Sequence, residues 1–318
     1  MSEAHDNPVR PHSVDPRPAG DFVPLGERPM LSEDDLRSPH QRHIARPVAL
    51  FLATCASTFL AGLCHWPLGF MLPSLEGLLA LLRIHWQDGL IYMAAVIGIL
   101  ITHEMGHFLQ AVRYHVPASL PIFIPLPGMM TGTMGAVIMM EGHQADRKQL
   151  FDIGISGPLA GLVVAIPVTI WGIVWGEPAP PRYLNDPWIF TLLTDWFRPD
   201  LPPGTELHFN PLLMAGWVGM LITGLNMMPV SQLDGGHVIY GLFGRRAHLV
   251  ARGFVCAAIA AMVLFDSYNW VVMLMLVLFI GIDHPPTRDD NAKLGPLRTT
   301  IGWLSLSIPI FCFTPAPF

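Results

Sequence analysis

The chain has 318 residues, 52% hydrophobic and only 13% charged, where an ordinary soluble domain carries roughly 25% charged residues; its mean hydropathy is +0.45. That balance excludes an ordinary water-soluble protein and indicates an integral membrane protein. The formal net charge of −6 is spread over loops and a tail, so no nucleic-acid partner is expected and charge identifies no substrate.

Residues 1–46 are rich in Pro, His, Arg and acidic side chains and contain no apolar run that could act as a signal-peptide core. They read as a disordered cytosolic tail. Asp34 and Asp35 count against an organellar transit peptide, which is acid-poor. His5, His12, His40 and His43 are irregularly spaced, as in a solvated tail. A single transmembrane domain is expected over 47–318. Its apolar segments run at Pro47–Leu63, Gly89–Val112, Leu150–Trp175, Pro211–Leu233, Val250–Phe265, Tyr268–Ile282 and Thr300–Phe313. Several are near the lower length limit of about 17 residues. The expected fold is an all-α polytopic membrane protein of six to seven transmembrane helices. Cys55, Cys64, Cys256 and Cys312 form no CxxC pair and read as small apolar residues within it.

The second segment contains His103-Glu104-Met105-Gly106-His107. Two imidazoles four residues apart on a helix lie one turn apart on one face, and the Glu between them can reach a water that a bound zinc would activate. The sequence thus places a hydrolytic metal site within a membrane span.

Between the second and third segments, Val116–Gly142 holds Pro117, Pro121, Pro125, Pro127, Gly128, Gly132 and Gly135. So many helix breakers forbid a continuous helix, yet Ile122-Phe123-Ile124 and Ala136–Met140 have strand-like composition. A re-entrant hairpin or small sheet is expected here. Non-helical backbone at membrane depth is tolerated only where protein or a water-filled cavity satisfies its polar groups, so the loop is expected to line the site. Its strand edge could pair with an unwound substrate segment.

The third segment carries Gly154, Ser156, Gly157, Ala160 and Gly161, small residues that let another helix or an extended peptide approach closely. The fourth ends in Asn226-Met227-Met228-Pro229-Val230-Ser231-Gln232-Leu233-Asp234-Gly235-Gly236-His237. A carboxylate at the end of an apolar span is costly unless paired or bound to metal. Asp234 is therefore the candidate third ligand of a zinc site that keeps its fourth position open for water. Pro229 and Gly235-Gly236 are expected to break the helix around it. His237 reads as a polar contact beside the ligands or an interfacial histidine. Asn226 could hold a substrate carbonyl or developing oxyanion, or make an interhelical hydrogen bond.

Lys and Arg in short loops set orientation. With a cytosolic amino terminus, Arg37, Arg42, Arg46, Arg147, Lys148, Arg245, Arg246, Arg252, Arg288, Lys293 and Arg298 fall inside, and only Arg83, Arg182 and Arg198 outside. His103 to His107 then lie about 10 Å short of the cytosolic end of their helix at 1.5 Å per residue.

HEMGH, Gly154-Ile155-Ser156-Gly157-Pro158-Leu159-Ala160-Gly161 and NMMPVSQLDGG, in three separate segments, together resemble the site-2 protease family of intramembrane zinc metallopeptidases. The GTMGAVI loop, Leu150-Phe151-Asp152-Ile153-Gly154 and HVIYGLFGRR also look like that family. The resemblance covers roughly Gly89 to the carboxyl terminus. It implies a three-helix catalytic core, about 89–112, 150–175 and 211–235, and one zinc ion. His103, His107 and Asp234 match its ligands, Glu104 its catalytic base and Asn226 a substrate contact; Gly132, Gly135 and Gly157 fall in loop and helix positions that shape the site. Transmembrane proteins are the implied substrates and membrane lipid the surroundings. Gly176–Asn210 leaves no room for an inserted PDZ domain, and no CBS pair is expected after the last span. A catalytically silent binder of membrane proteins and a zinc transporter or sensor are the alternatives. The expected location is a bacterial cytoplasmic membrane.

Overall fold

The computed structural model describes residues 39–66, 74–180, 185–202, 205–230, 232–265 and 268–314. The expected disordered tail therefore falls largely outside the described residues. The chain divides into Met1–His43 and Ile44–Phe318, and the candidate membrane spans and the hairpin belong to the second unit.

Helix α1 (Pro39–Leu63) contains Pro47 and is long and apolar enough to cross a membrane from Ile44 to Leu63. α2 (Leu75–Arg113) starts earlier than the apolar pattern indicates; its backbone leaves helical geometry at His85 (φ −117, ψ 15), so the expected Gly89–Val112 lies wholly in the segment after the kink. α3 (Arg147–Val174) opens on a capping box in which Asp146 accepts from the Gln149 backbone N–H and the Gln149 side chain accepts in return. It contains two prolines, Pro158, which is buried, and Pro167, which is exposed. After a short helix, α4 (Trp188–Phe197), comes α5 (Pro211–Asn226), with Asn210 capping the Leu213 N–H at 2.9 Å. α6 (Asp234–Phe243) and α7 (Ala247–Leu264) are joined by a single tight turn. α8 (Val271–Ile280), α9 (Pro296–Ser305) and α10 (Ile308–Cys312) are short.

Among the described residues four stretches have the length and composition to cross a membrane: Ile44–Leu63, Leu75–Arg113, Arg147–Val174 and Asp234–Leu264. The expected span Pro211–Leu233 ends as a helix at Asn226. Its 16 residues rise about 24 Å, short of a hydrocarbon core of about 30 Å. The helix is apolar because it is buried by protein: Leu213 to Leu221 are all buried, and α3 packs along it. The expected Thr300–Phe313 is split between α9 and α10 by a break at Leu306–Ser307.

Large apolar side chains stand exposed on the outer helices, among them Leu109, Val163, Val272 and Phe279. A lipid-facing surface has that character, whereas a soluble monomer rarely exposes apolar patches of such extent.

The Pro- and Gly-rich segment forms a hairpin of β1 (Ile122–Pro125) and β2 (Thr133–Val137), antiparallel with Phe123 opposite Ala136 and an irregularity after Ile124. It is fastened to the helices. Ser57 Oγ donates to the Gly132 carbonyl and Tyr92 OH to that of Thr131, and Phe51 meets Phe123 edge to face at 5.1 Å.

At one end of the bundle Arg298 donates twice to Asp152, at 2.7 and 2.9 Å, and Tyr114 OH donates to the same carboxylate at 2.5 Å. This joins α9, α3 and the end of α2. Arg298→Ala would leave a mostly buried carboxylate without its bidentate partner. It is expected to lower stability by about 1.5–3 kcal/mol, read as a lower melting temperature in detergent with an unchanged helical spectrum.

Candidate metal centre

Helical spacing puts the His103 and His107 rings on one face of α2, edge to face at 5.0 Å between centroids. The third member arrives from a different element. After α5 ends at Asn226, the chain turns or bends at Met227–Val230 and at Gln232-Leu233, and α6 starts with Asp234 as its first residue. The helix break expected around Asp234 thus lies wholly before it, and Gly235 and Gly236 are helical. Gly235 is needed for another reason, since a Cβ there would lie 2.1 Å from the Met227 carbonyl oxygen.

His103 Nε2 lies 3.1 Å from Asp234 Oδ2 and His107 Nε2 lies 3.2 Å from Oδ1. One ligand atom from each of the three side chains falls within 4.8 Å of the others. Zinc–nitrogen and zinc–oxygen bonds of 2.0–2.2 Å in a tetrahedron imply edges of about 3.3 Å. The donor set fits a zinc ion with its fourth position open.

α3 holds these ligands from behind. His107 Nδ1 donates to the Ile153 carbonyl at 2.8 Å, which leaves Nε2 as the lone-pair nitrogen facing Asp234. Ser156 Oγ donates to the carbonyls of Ile153 and Gly106, and a Cβ on Gly106 would meet the Ser156 carbonyl at 2.6 Å. A Cβ on Gly157 would lie 2.0 Å from His107 Nε2, and one on Gly161 3.1 Å from His103 Nδ1. Among the small residues of the third segment, Gly157 and Gly161 therefore face the two histidines, Gly154 faces His237, and Ser156 and Ala160 pack on Gly106.

Glu104 is 3% exposed and borders the same cavity as Ile138, just after β2. With His107, Asp234, Asn226, Gln232 and His237 it lines a cavity of about 130 Å³, to which Ala136, Val137 and Ile138 also contribute. Gly132 and Gly135 lie outside it. Gly132 (φ +69) sits against Thr58 of α1, and Gly135 (φ +108) bends β2 beside Ile222.

Sequence reasoning missed His284. Its Nδ1 lies 2.6 Å from the Pro285 carbonyl and its Nε2 2.7 Å from His237 Nδ1. A carbonyl only accepts, so His284 Nδ1 carries the proton; its Nε2 then accepts from His237 Nδ1–H. The remaining nitrogen of His237, Nε2, is left as an acceptor on the ring that borders the cavity. A histidine directly before Pro285-Pro286, past the end of an apolar segment, was the available signal.

Residues 91–197, which include the HEMGH helix, the hairpin and α3, match the model of Peptidase family M50. The chain is 34% identical over 234 residues to a protein of Arabidopsis thaliana named probable zinc metalloprotease EGY1, chloroplastic, covering 69% of this chain and 42% of that protein. Probable zinc metalloprotease EGY2 of the same plant is 26% identical over 244 residues, covering 73% and 43%. Probable zinc metalloprotease EGY3 of Oryza sativa subsp. indica is 26% identical over 237 residues, covering 68% and 40%. The chain thus spans about two fifths of the length of these relatives. With HEMGH inside the matched segment, residues 91–197 carry a peptidase family M50 domain, that of the site-2 protease family.

Proposed function

We propose that this chain is an intramembrane zinc metalloprotease that hydrolyses peptide bonds within or near transmembrane segments of membrane proteins. The observation that carries this reading is the set of buried His103 and His107 with the partly buried Asp234, and the buried Glu104 carboxylate beside them on an apolar helix.

A zinc ion bound there would supply a Lewis acid for the scissile carbonyl and lower the pKa of its water toward about 7. The Glu104 carboxylate would take up a proton from the attacking water and return it to the leaving nitrogen. Burial among apolar helices keeps this chemistry out of bulk solvent and strengthens each charge interaction. The Asn226 amide, on the cavity wall, orients the substrate carbonyl. β2 is paired on one edge only among the described residues, so an extended substrate segment can add to its other edge. This is the role we assign to the loop as a re-entrant hairpin, with Gly132 and Gly135 setting its shape and Gly157 making room for His107. A helical substrate must unwind locally to expose a peptide bond, so helix-breaking residues near the cleavage site should speed its hydrolysis.

The ends of the bundle support an inward-facing site. Arg147, Arg245 and Arg298 cluster with Asp290 and Asp152 at the HEMGH end of α2, the cationic end expected on the cytosolic side. We place the amino terminus in the cytosol and the chain in a bacterial cytoplasmic membrane, with substrates reaching the site from the lipid.

The test is cleavage of a panel of model transmembrane helices by the full chain in liposomes. Chelation should stop cleavage and added zinc should restore it. Zinc flux across the vesicles without cleavage would overturn the reading in favour of a transporter. Within the same assay, His284→Ala frees His237 to rotate. It is expected to lower kcat about tenfold, as loss of partners that orient a site does, with zinc content unchanged.

A further inference from the structure

A second cluster of ligating side chains lies where α1 leans on α2. Gly62 and Gly89 allow the contact: a Cβ on Gly62 would lie 2.7 Å from the Tyr92 Cβ, and one on Gly89 2.9 Å from the Phe59 carbonyl oxygen. This close approach brings the end of α1 over Asp88. There α1 finishes in a left-handed cap, with φ 51 at His65, φ 57 at Trp66 and the Trp66 N–H donating to the Ala61 carbonyl at 2.9 Å. The cap directs His65 toward α2, and its Nε2 lies 3.2 Å from Asp88 Oδ2. From the kink in α2, three residues before Asp88, His85 Nδ1 reaches the same oxygen at 3.1 Å. The two imidazoles meet edge to face, with centroids 4.3 Å apart.

We propose that His65, His85 and Asp88 form a second divalent-metal site, suited to zinc and separate from the one on His103, His107 and Asp234. One ligand atom from each residue lies within 4.8 Å of the others, and the 3.1 and 3.2 Å approaches match the tetrahedral edge of about 3.3 Å that zinc–ligand bond lengths set. Two imidazoles and one carboxylate are donors that suit zinc and its first-row neighbours. His65 is exposed and His85 and Asp88 are half-buried, so water can complete the coordination and the ion can exchange with solution. At 1.5 Å per residue the cluster lies about 22 Å along α2 from His103, so the two sites share no ligand. An ion here fastens α1 to the far end of the helix that carries HEMGH. Binding to the folded state alone would raise the melting temperature as zinc is added.

The experiment reads metal, not activity, and therefore stands apart from the protease proposal. The full chain carrying His103→Ala and His107→Ala is purified in detergent, stripped with a chelator and titrated with zinc. One zinc per chain and a zinc-dependent rise in melting temperature are expected, both lost when His65→Ala and His85→Ala are added. In the otherwise unaltered chain, Asp88→Asn should reduce zinc from two per chain to one. The second arm decides the matter if the combined variant does not fold. The proposal is overturned if the folded His103→Ala, His107→Ala chain binds no zinc, or if Asp88→Asn leaves stoichiometry and affinity as they were. Asp88 would then be only a hydrogen-bond acceptor joining two imidazoles.

Discussion

Glu104→Gln is expected to lower turnover of a transmembrane substrate by at least about 10³-fold while zinc content stays at its wild-type value. Glutamine keeps the length and shape of the side chain on the wall that Glu104 shares with Ile138. It therefore preserves the wall of the cavity. What it removes is the ability to take up a proton from water and hand it to the leaving amine. His103 and His107 are each held by Asp234, and His107 also by the Ile153 carbonyl. Measuring zinc by elemental analysis alongside single-turnover cleavage separates the two effects. Retained turnover would remove Glu104 from the reaction, and joint loss of zinc and turnover would make it a structural residue of the centre.

Gly157→Ala should act on the other half of the site. A methyl group there would come within 2.0 Å of His107 Nε2 and 2.3 Å of Cδ2, distances that no real Cβ contact tolerates. The imidazole must move, because α3 behind Gly157 is a packed helix and cannot retreat. Moving it breaks the hydrogen bond to Ile153 and pulls Nε2 away from Asp234. Activity is expected to fall by about 10²-fold or more, with less than one zinc bound per chain and only a modest change in the helical spectrum. Gly98→Ala supplies the comparison on the neighbouring helix: a Cβ there meets nothing within 4 Å, so the exchange should be neutral, or stabilising by up to about 1 kcal/mol. If Gly157→Ala matched Gly98→Ala in zinc content, the close packing of α3 against the ligand would not control the centre.

His103, Glu104 and His107 were legible in the sequence because the helical period alone sets two residues four apart on one face. Asp234 was legible because a carboxylate in apolar surroundings needs a partner. The hairpin followed from proline and glycine, which forbid a helix over Val116–Gly142. Other features depended on what packs against what. α5 has the composition of a membrane span, yet α3 and its neighbours bury it, and composition does not distinguish lipid from protein as the apolar surroundings of a helix. That Gly157 and Gly161 face histidine rings, that His284 orients His237, and that His65 comes to rest on Asp88 are contacts between residues far apart along the chain. Residue type and local spacing were enough to mark the candidate centre and the apolar helices, since both are properties of neighbouring positions along the chain. The tertiary structure alone decided how closely the helices approach, because that distance is set by the side chains of two elements at once.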